Sequence, residues 1–210
     1  MTRIKICGIT RFEDARAAVE LGAHALGFIF VPSSPRYLGA GDAAERIVTR
    51  LPPFVEAVFV CRNLADYRAH PCASLFHTVQ IYEPPGGDQV PCGMRIIAAT
   101  RVRDEHDVAA ASAASAYAQA VLLDAYDPNA LGGTGTPFDW RNTTQAAQRL
   151  ALPVILAGGL TPENVGEAIR MVRPYAVDVS SGVEAAPGRK DIRKMTAFFA
   201  AVRHADRELD

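Results

Sequence analysis

Short apolar runs alternate with helical patterns along the whole chain. The helical patterns place apolar residues three and four apart, and the first of them opens at Thr10 with Glu13 three residues on, a capping-box signature. Strands that alternate with helices predict a parallel sheet with helical crossovers. The apolar runs predict eight strands, at Arg3–Cys7, Ala25–Val31, Val55–Val60, Leu75–Ile81, Arg95–Ala99, Ala120–Leu123, Val154–Ala157 and Ala176–Val179.

One unit breaks this alternation. The segment Glu83-Pro84-Pro85-Gly86-Gly87 follows the fourth strand and cannot form a regular helix. Eight units either close into a barrel or form an open doubly wound sheet, but no Gly-x-Gly-x-x-Gly follows the first strand, which weakens the dinucleotide-binding version of the open sheet. We therefore predict an α/β fold, a single (β/α)₈ TIM barrel of parallel strands over residues 1–210, with a degraded fourth helix.

Composition and charge limit the kinds of partner, location and cofactor that we expect. The formal charge is −1, from 22 basic and 23 acidic residues, so we expect no nucleic-acid partner. No apolar stretch approaches the roughly 20 residues of a membrane span, and Lys5 interrupts any signal-peptide core; we expect a cytoplasmic protein. Four cysteines without a Cys-x-x-Cys pair and five scattered histidines form no ligand pattern, so we expect neither metal nor cofactor.

Two side chains at predicted strand ends could perform acid–base chemistry. In a barrel, chemistry belongs at the carboxyl ends of the strands. Cys7 ends the first strand, where it is either core packing or a reactive thiol whose thiolate nearby positive charge would favour. Asp124 follows three apolar residues at the end of the sixth strand, where it is either a turn former or a catalytic acid. Asp127, three residues later, fits a turn better.

Other segments could bind substrate. Loops after the seventh and eighth strands are the frequent phosphate site of such barrels; here they carry Gly158, Gly159, Ser180, Ser181 and Gly182, glycines that otherwise only make tight turns. Arg36, after the second strand, could clamp a carboxylate or be a solvated loop residue. Gly132-Gly133-Thr134-Gly135 suggests a flexible lid or close backbone approach, and Asp178 a buried, hydrogen-bonded group.

These segments resemble the phosphoribosylanthranilate isomerase family of tryptophan biosynthesis nearly end to end. The resemblance rests on the opening and closing motifs together, which combine in no other phosphate-binding barrel of this kind. The matching segments are Lys5-Ile6-Cys7-Gly8-Ile9-Thr10, Ser34-Pro35-Arg36-Tyr37, Leu122-Leu123-Asp124, Gly132-Gly133-Thr134-Gly135, Phe138-Asp139-Trp140, Leu156-Ala157-Gly158-Gly159-Leu160, Val177-Asp178-Val179-Ser180-Ser181-Gly182-Val183-Glu184 and Pro187-Gly188 near Lys190-Asp191.

The resemblance implies an Amadori rearrangement of a small phosphosugar, N-(5-phosphoribosyl)anthranilate, to 1-(2-carboxyphenylamino)-1-deoxyribulose 5-phosphate, without metal or cofactor. It implies that Asp124 is the general acid that opens the furanose ring and Cys7 the general base that removes the C2 proton. It implies that Arg36 holds the anthranilate carboxylate, and that the loops with Gly158, Gly159, Ser180, Ser181 and Gly182 hold the phosphate.

The chain departs from the family around strands four and five. Tyr82 stands where the family usually has histidine, and Ala98 where it usually has lysine. Three alternatives stay open: another phosphosugar isomerase or epimerase, a non-catalytic barrel that binds a phosphorylated ligand, and a redox-thiol protein. An epimerase of this kind would use paired acidic groups, a silent barrel could have lost Cys7 or Asp124, and a redox protein needs a second cysteine near Cys7.

Overall fold

Eight parallel strands close into a ring in the order in which they occur along the chain. The computed structural model describes residues 1–39, 41–86, 90–102, 107, 111–125, 144, 147–148 and 150–209. Each strand pairs with the next, and the first pairs with the eighth to close the barrel, as predicted. The strands are β1 (Arg3–Cys7), β2 (Ala25–Ile29), β3 (Glu56–Cys61), β4 (Thr78–Ile81), β5 (Arg95–Val102), β6 (Ala120–Ala125), β7 (Val154–Ala157) and β8 (Ala176–Val179).

Helices surround this ring. They are α1 (Phe12–Leu21), α2 (Ala43–Val48), α3 (Leu64–Ala69), α4 (Val165–Val172) and α5 (Ile192–Leu209), with short 3₁₀ helices at Ala73–Leu75, Ser112–Ala116 and Ser181–Val183. After β8, the strands β9 (Glu184–Ala186) and β10 (Arg189–Lys190) form an antiparallel hairpin. None of the helices in the described part of the chain is long and apolar enough to cross a membrane.

The described residues of the connection from β4 to β5 form no helix, where the sequence predicted a degraded one. These residues, 82–86 and 90–94, form turns and irregular backbone. Of the predicted helix Asp104–Tyr117, the described residues 107 and 111 are α-helical, and Ser112–Ala116 form a 3₁₀ helix. Asp127, the segment Gly132–Gly135 and the helix predicted to begin at Asp139 lie largely or wholly outside the described residues.

The start of α1 differs from the predicted capping box. The helix begins at Phe12, and Arg11 precedes it without capping it through its side chain. Thr10 does not cap the helix, because its hydroxyl donates a hydrogen bond to the carbonyl of Gly188 in the β9–β10 hairpin. A contact between distant parts of the chain has taken the place of the local cap.

Alternation along the strands produces two separate cores. Side chains at one parity pack outward under the helices, as Ile4, Ile6, Leu26 and Phe28 do. Side chains at the other parity fill the barrel interior, and its apolar members are Cys7, Val58, Val60, Ile97, Ala99, Leu122, Ile155, Ala157 and Ala176. Because successive strand residues point to opposite faces, the interior set continues into Asp124 two residues after Leu122, and into Asp178 two residues after Ala176.

Candidate active site

A cleft of about 280 Å³ opens at the carboxyl ends of the strands. Its wall is formed by strand ends and by the loops that follow β2, β4, β7 and β8, the end of a barrel where such enzymes place their chemistry. Every site residue predicted from the sequence lies on this wall: Cys7, Arg36, Asp124, Gly158, Gly159, Ser180, Ser181 and Gly182.

Strand parity and a neighbouring glycine bring Cys7 to the cleft. The thiol belongs to the interior parity of β1 and is 6% exposed. Gly27 is its partner in the register of β2, and a Cβ atom built on Gly27 would lie 2.7 Å from Cys7 Sγ. Any side chain at position 27 would therefore displace the sulfur, and the glycine makes room for it.

A buried lysine lies beneath the thiol. Lys5 precedes Cys7 by two residues and so shares its face of β1. Its Nζ donates a 2.9 Å hydrogen bond to Gln80 Oε1 and lies 3.0 Å from Asp178 Oδ2. Lys5, Gln80 and Asp178 are all buried. Sequence reasoning assigned no role to Lys5 or Gln80, although a lysine inside an apolar strand run is an unusual residue to bury.

Burial raises the pKa of the Cys7 thiol above its ordinary value. The Lys5 ammonium opposes this shift, the Asp178 carboxylate adds to it, and the Lys190 ammonium opposes it more weakly. Both lysines favour the thiolate, as the sequence analysis expected of nearby positive charge, but the effect of burial on the pKa is larger than theirs. These opposing effects leave the pKa of the thiol above its ordinary value, so the protonated sulfur predominates at neutral pH.

Asp124 has the environment of a proton donor. Burial raises the pKa of this carboxyl, and the negative charge of Asp178 raises it further, while Arg101 and Lys5 lower it. The protonated acid is thus populated at higher pH than for an exposed aspartate. Asp124 lies on β6, which β7 and β8 separate from β1 around the ring, so the carboxyl and the thiol contact one cleft from different sides.

Tyr82 lies on the cleft wall after β4. Its hydroxyl is 3.5 Å from Gln80 Nε2, and burial together with the charge of Asp124 raises the pKa of the phenol. It is therefore a neutral group at physiological pH. Ala98 belongs to the outer core, and the interior of β5 is lined instead by Ile97 and Ala99. The departures in this half of the barrel thus give the cleft a neutral wall at Tyr82.

Arg36 reaches the cleft already paired. Its Nε lies 2.8 Å from Glu184 Oε1 and its Nη2 2.6 Å from Glu184 Oε2, a bidentate arrangement. Glu184 also accepts a 2.8 Å hydrogen bond from Lys190 Nζ. Burial alone would raise the pKa of Glu184, but hydrogen bonds from Arg36 and Lys190 hold it below its ordinary value. The sequence pointed to Arg36 and gave no role to Glu184 or Lys190. The pair of Arg36 with Glu184 joins the loop after β2 to the β9–β10 hairpin, which is far away in the chain.

The loops after β7 and β8 meet backbone to backbone. Gly158 and Gly159 adopt φ values of +87° and +62°, which favour glycine. A Cβ atom on Gly182 would lie 1.9 Å from the carbonyl oxygen of Leu160, so only glycine permits this approach. The hydroxyl of Ser180 is buried on the cleft wall and has no hydrogen-bond partner in the described part of the chain.

One carboxylate oxygen of Asp178 also has no hydrogen-bond partner in the described part of the chain. Its Oδ2 pairs with Lys5, but Oδ1 is buried without a hydrogen-bond partner among the residues that the structure describes. The cleft therefore contains an acceptor and a hydroxyl that are available to a polar ligand. Within the described ranges, no three His, Cys, Asp or Glu side chains gather as a possible metal site.

Comparison with known proteins identifies one family. The family model for N-(5'-phosphoribosyl)anthranilate (PRA) isomerase matches residues 4–201. N-(5'-phosphoribosyl)anthranilate isomerase from Geobacter sp. (strain M21) is 47% identical over 97% of this chain and 98% of its own. The crystal structure of phosphoribosyl anthranilate isomerase from Thermotoga maritima is 39% identical, covers 97% of this chain and 100% of its own, and superposes with a TM-score of 0.84.

A second crystal structure carries a ligand. It is a phosphoribosyl anthranilate isomerase in complex with reduced 1-(o-carboxyphenylamino)-1-deoxyribulose 5-phosphate, 36% identical to this chain, with a TM-score of 0.81 over 97% of this chain and 100% of its own.

Proposed function

The chain belongs to the N-(5'-phosphoribosyl)anthranilate isomerase family, and we propose that Cys7 is the general base and Asp124 the general acid of its reaction. The activity is that of an isomerase of tryptophan biosynthesis, which converts the aminoaldose N-(5'-phosphoribosyl)anthranilate into the aminoketose 1-(2-carboxyphenylamino)-1-deoxyribulose 5-phosphate. The observation that carries the assignment is the shared cleft, in which a thiol and a carboxyl approach the same space from β1 and β6.

Ring opening begins with Asp124. The carboxyl donates its proton to the furanose ring oxygen as the C1–O bond breaks, and the nitrogen lone pair forms the C1=N bond of an iminium. This step needs a protonated acid, and burial, which raises the pKa of Asp124, favours that form.

Proton removal follows at C2. The Cys7 thiolate takes the C2 proton, which the neighbouring iminium has made acidic, and the electron pair forms the C1=C2 bond of an enolamine. The enolamine then tautomerises, losing the hydroxyl proton at C2 and gaining a proton at C1, to give the ketone. This step requires the thiolate. Burial raises the pKa of the Cys7 thiol and so disfavours that form, whereas the Lys5 ammonium beneath the thiol favours it.

Arg36 and the two glycine loops bind the ends of the substrate in this proposal. The Arg36 guanidinium lies on the wall near β2 and holds the anthranilate carboxylate, a pairing that suits its planar N–H groups. The phosphate lies against the loops with Gly158, Gly159, Ser180, Ser181 and Gly182, and the unpartnered hydroxyl of Ser180 supports a polar ligand there. Asp178 Oδ1 is available to accept a hydrogen bond from the sugar.

The remaining expectations belong to the same proposal. Residues 1–210 form one barrel domain that acts in the cytoplasm on a small-molecule phosphosugar, with neither nucleic acid nor membrane as a partner. The direct test mixes the purified protein with freshly prepared N-(5'-phosphoribosyl)anthranilate and follows the loss of anthranilate-type fluorescence. Loss faster than the spontaneous breakdown supports the proposal, and a rate equal to that background contradicts it.

Replacing Arg36 by methionine should raise KM more than it lowers kcat. A carboxylate clamp far from the reacting carbons binds ground state and transition state alike, so its loss appears mainly in KM. Steady-state kinetics over a range of substrate concentration would measure both constants. An unchanged KM in a folded variant would remove Arg36 from the binding site.

Replacing Gly159 by alanine should raise KM by about tenfold and weaken competitive inhibition by inorganic phosphate, since a methyl group there would point into open space on the cleft wall. Gly93→Ala is the matched control: Gly93 has a similar positive φ, +80°, and equally open space, but lies outside the cleft. Both variants bear the backbone cost of a left-handed alanine. If the two raise KM equally, the phosphate does not bind at Gly159.

A further inference from the structure

Glu184 stands between two cations, Arg36 on the cleft wall and Lys190 in the same hairpin. On one side it pairs with the Arg36 guanidinium through both oxygens, and on the other it accepts from the Lys190 ammonium. Its side chain is only 4% exposed, and that of Lys190 is fully buried. A carboxylate so enclosed has little freedom to turn, and so it fixes the plane of the guanidinium that it holds.

The hairpin that carries Glu184 is itself tied to the loops around it. Lys190 Nζ donates to the backbone carbonyl of Cys7 at the end of β1 and to that of Ser180 after β8. Lys190 N donates a 3.1 Å hydrogen bond to Asp14 Oδ2 of α1. Lys194 Nζ of α5 donates to the carbonyl oxygen of Glu184 at 2.8 Å. Glu184 therefore has a fixed backbone as well as a fixed side chain.

The bidentate pair leaves one edge of the guanidinium available. Arginine has five N–H groups, and Glu184 takes those of Nε and one of Nη2. The other edge, formed by Nη1 and the second N–H of Nη2, has no acceptor among the described residues, and Arg36 lines the cleft. That edge has the spacing that binds a second carboxylate through two hydrogen bonds.

We propose that Glu184 is a positioning residue that holds the guanidinium of Arg36 with its open edge toward the cleft, and that it thereby makes the site selective for a substrate with a carboxylate on its aromatic ring. Without Glu184 the same arginine would keep its charge but lose its orientation. The inference rests on the proposed role of Arg36 as the carboxylate clamp, and the experiment is chosen so that the two can fail separately.

The charge state of this group suits a permanent clamp. The pKa of Glu184 lies below its ordinary value, since its two cationic partners outweigh the effect of burial. The carboxylate is therefore present throughout the neutral and alkaline range, and protonation removes it only in acid. We expect the orientation of Arg36 to be constant over the pH range in which the isomerase is assayed.

The test compares two inhibitors that differ in one group. The first is the reduced product analogue, which carries the 2-carboxyphenyl ring; the second is the same molecule with an unsubstituted phenyl ring. The ratio of their inhibition constants measures how strongly the site prefers the carboxylate. The wild-type protein should prefer the first, and Arg36→Met should lose that preference. Glu184→Gln should reduce it by about tenfold, the effect of losing one well-oriented charged contact, with little change in the affinity for the phenyl compound.

Two further variants separate orientation from general loosening of the fold. Lys190→Met removes the other partner of Glu184 but leaves the bidentate pair with Arg36, so the inhibitor preference should fall less than in Glu184→Gln even if stability falls. Glu184→Asp keeps the charge beside Lys190 but is one methylene too short to hold both nitrogens of Arg36. Glu184→Asp should lose the inhibitor preference as Glu184→Gln does, and it replaces the glutamine variant in the test if that variant does not fold.

The outcomes distinguish the two proposals. If Arg36→Met retains the preference, the carboxylate does not bind at Arg36 and the proposed role of that residue fails. If Arg36→Met loses it while the folded Glu184 variants retain it, Arg36 orients itself and the inference about Glu184 alone is wrong. If Lys190→Met loses as much preference as Glu184→Gln, the effect is a loosened hairpin, which also overturns the inference.

Discussion

Replacing Cys7 by alanine should lower kcat by at least about two decades while the protein remains folded and retains most of its ligand affinity. General base catalysis contributes roughly 10²–10⁴ to a rate. Among the described residues of the cleft wall, no cysteine other than Cys7 could replace it. The methyl group of alanine leaves the packing around Gly27 undisturbed. Steady-state kinetics and the binding of the reduced product analogue would measure the two effects.

The pH profile gives this prediction a second readout. Activity should rise with pH as the Cys7 thiol loses its proton, and because its pKa is raised the rise extends to higher pH than for an ordinary thiol. In Cys7→Ala this rising limb should disappear, since no base remains to be deprotonated. Cys61→Ala is a matched control: Cys61 is also buried at a strand end but faces the outer core, so its loss should leave kcat unchanged. Near wild-type turnover in Cys7→Ala would contradict the assignment.

Replacing Asp124 by asparagine should also cost at least about two decades in kcat, because an amide cannot donate a proton to the ring oxygen as it leaves. The expected change in the pH profile is the opposite one. Activity requires the protonated acid and so falls as Asp124 loses its proton; the raised pKa moves that fall upward, and in Asp124→Asn the falling limb should vanish. Measuring kcat/KM from acid to alkaline pH would test this.

Asp127 provides the comparison for Asp124. It lies three residues further along the chain, outside the described residues, and the sequence predicts a turn former there. Asp127→Asn should therefore cost far less than Asp124→Asn. Equal losses in the two variants would mean that the acid has been assigned to the wrong aspartate, whatever the family of the chain.

The sequence predicted the fold well where burial alone decides structure. The strands β1, β7 and β8 have the predicted bounds, because runs such as Val154–Ala157 have apolar residues facing both the barrel interior and the helices. Prediction failed where a distant contact replaced a local one. Thr10 has the spacing of a helix cap, yet its hydroxyl binds Gly188, and no local pattern reveals a partner so far along the chain.

The same distinction explains what was missed in the site. Cys7 and Asp124 could be found because each ends an apolar run. Lys5 gains its role from Gln80 and Asp178 across the barrel, and Glu184 and Lys190 gain theirs from Arg36 and the Cys7 carbonyl, which lie far away in the chain. These contacts are visible only in the folded molecule. One signal was present: Lys5 shares the parity of Cys7, and a charged residue at an interior position of a strand requires a buried partner.

Because β1 pairs with β8, the barrel closes only after β8 has been synthesised. Cys7 leaves the ribosome 183 residues before Lys190, whose ammonium donates to its carbonyl oxygen, and long before β8, which carries Asp178. A nascent chain can pair its early parallel strands, but it holds no working site until β8 has emerged and docked beside β1. Turnover therefore reports that β8 has been synthesised and has docked beside β1, and a chain terminated before β8 would be inert rather than partly active.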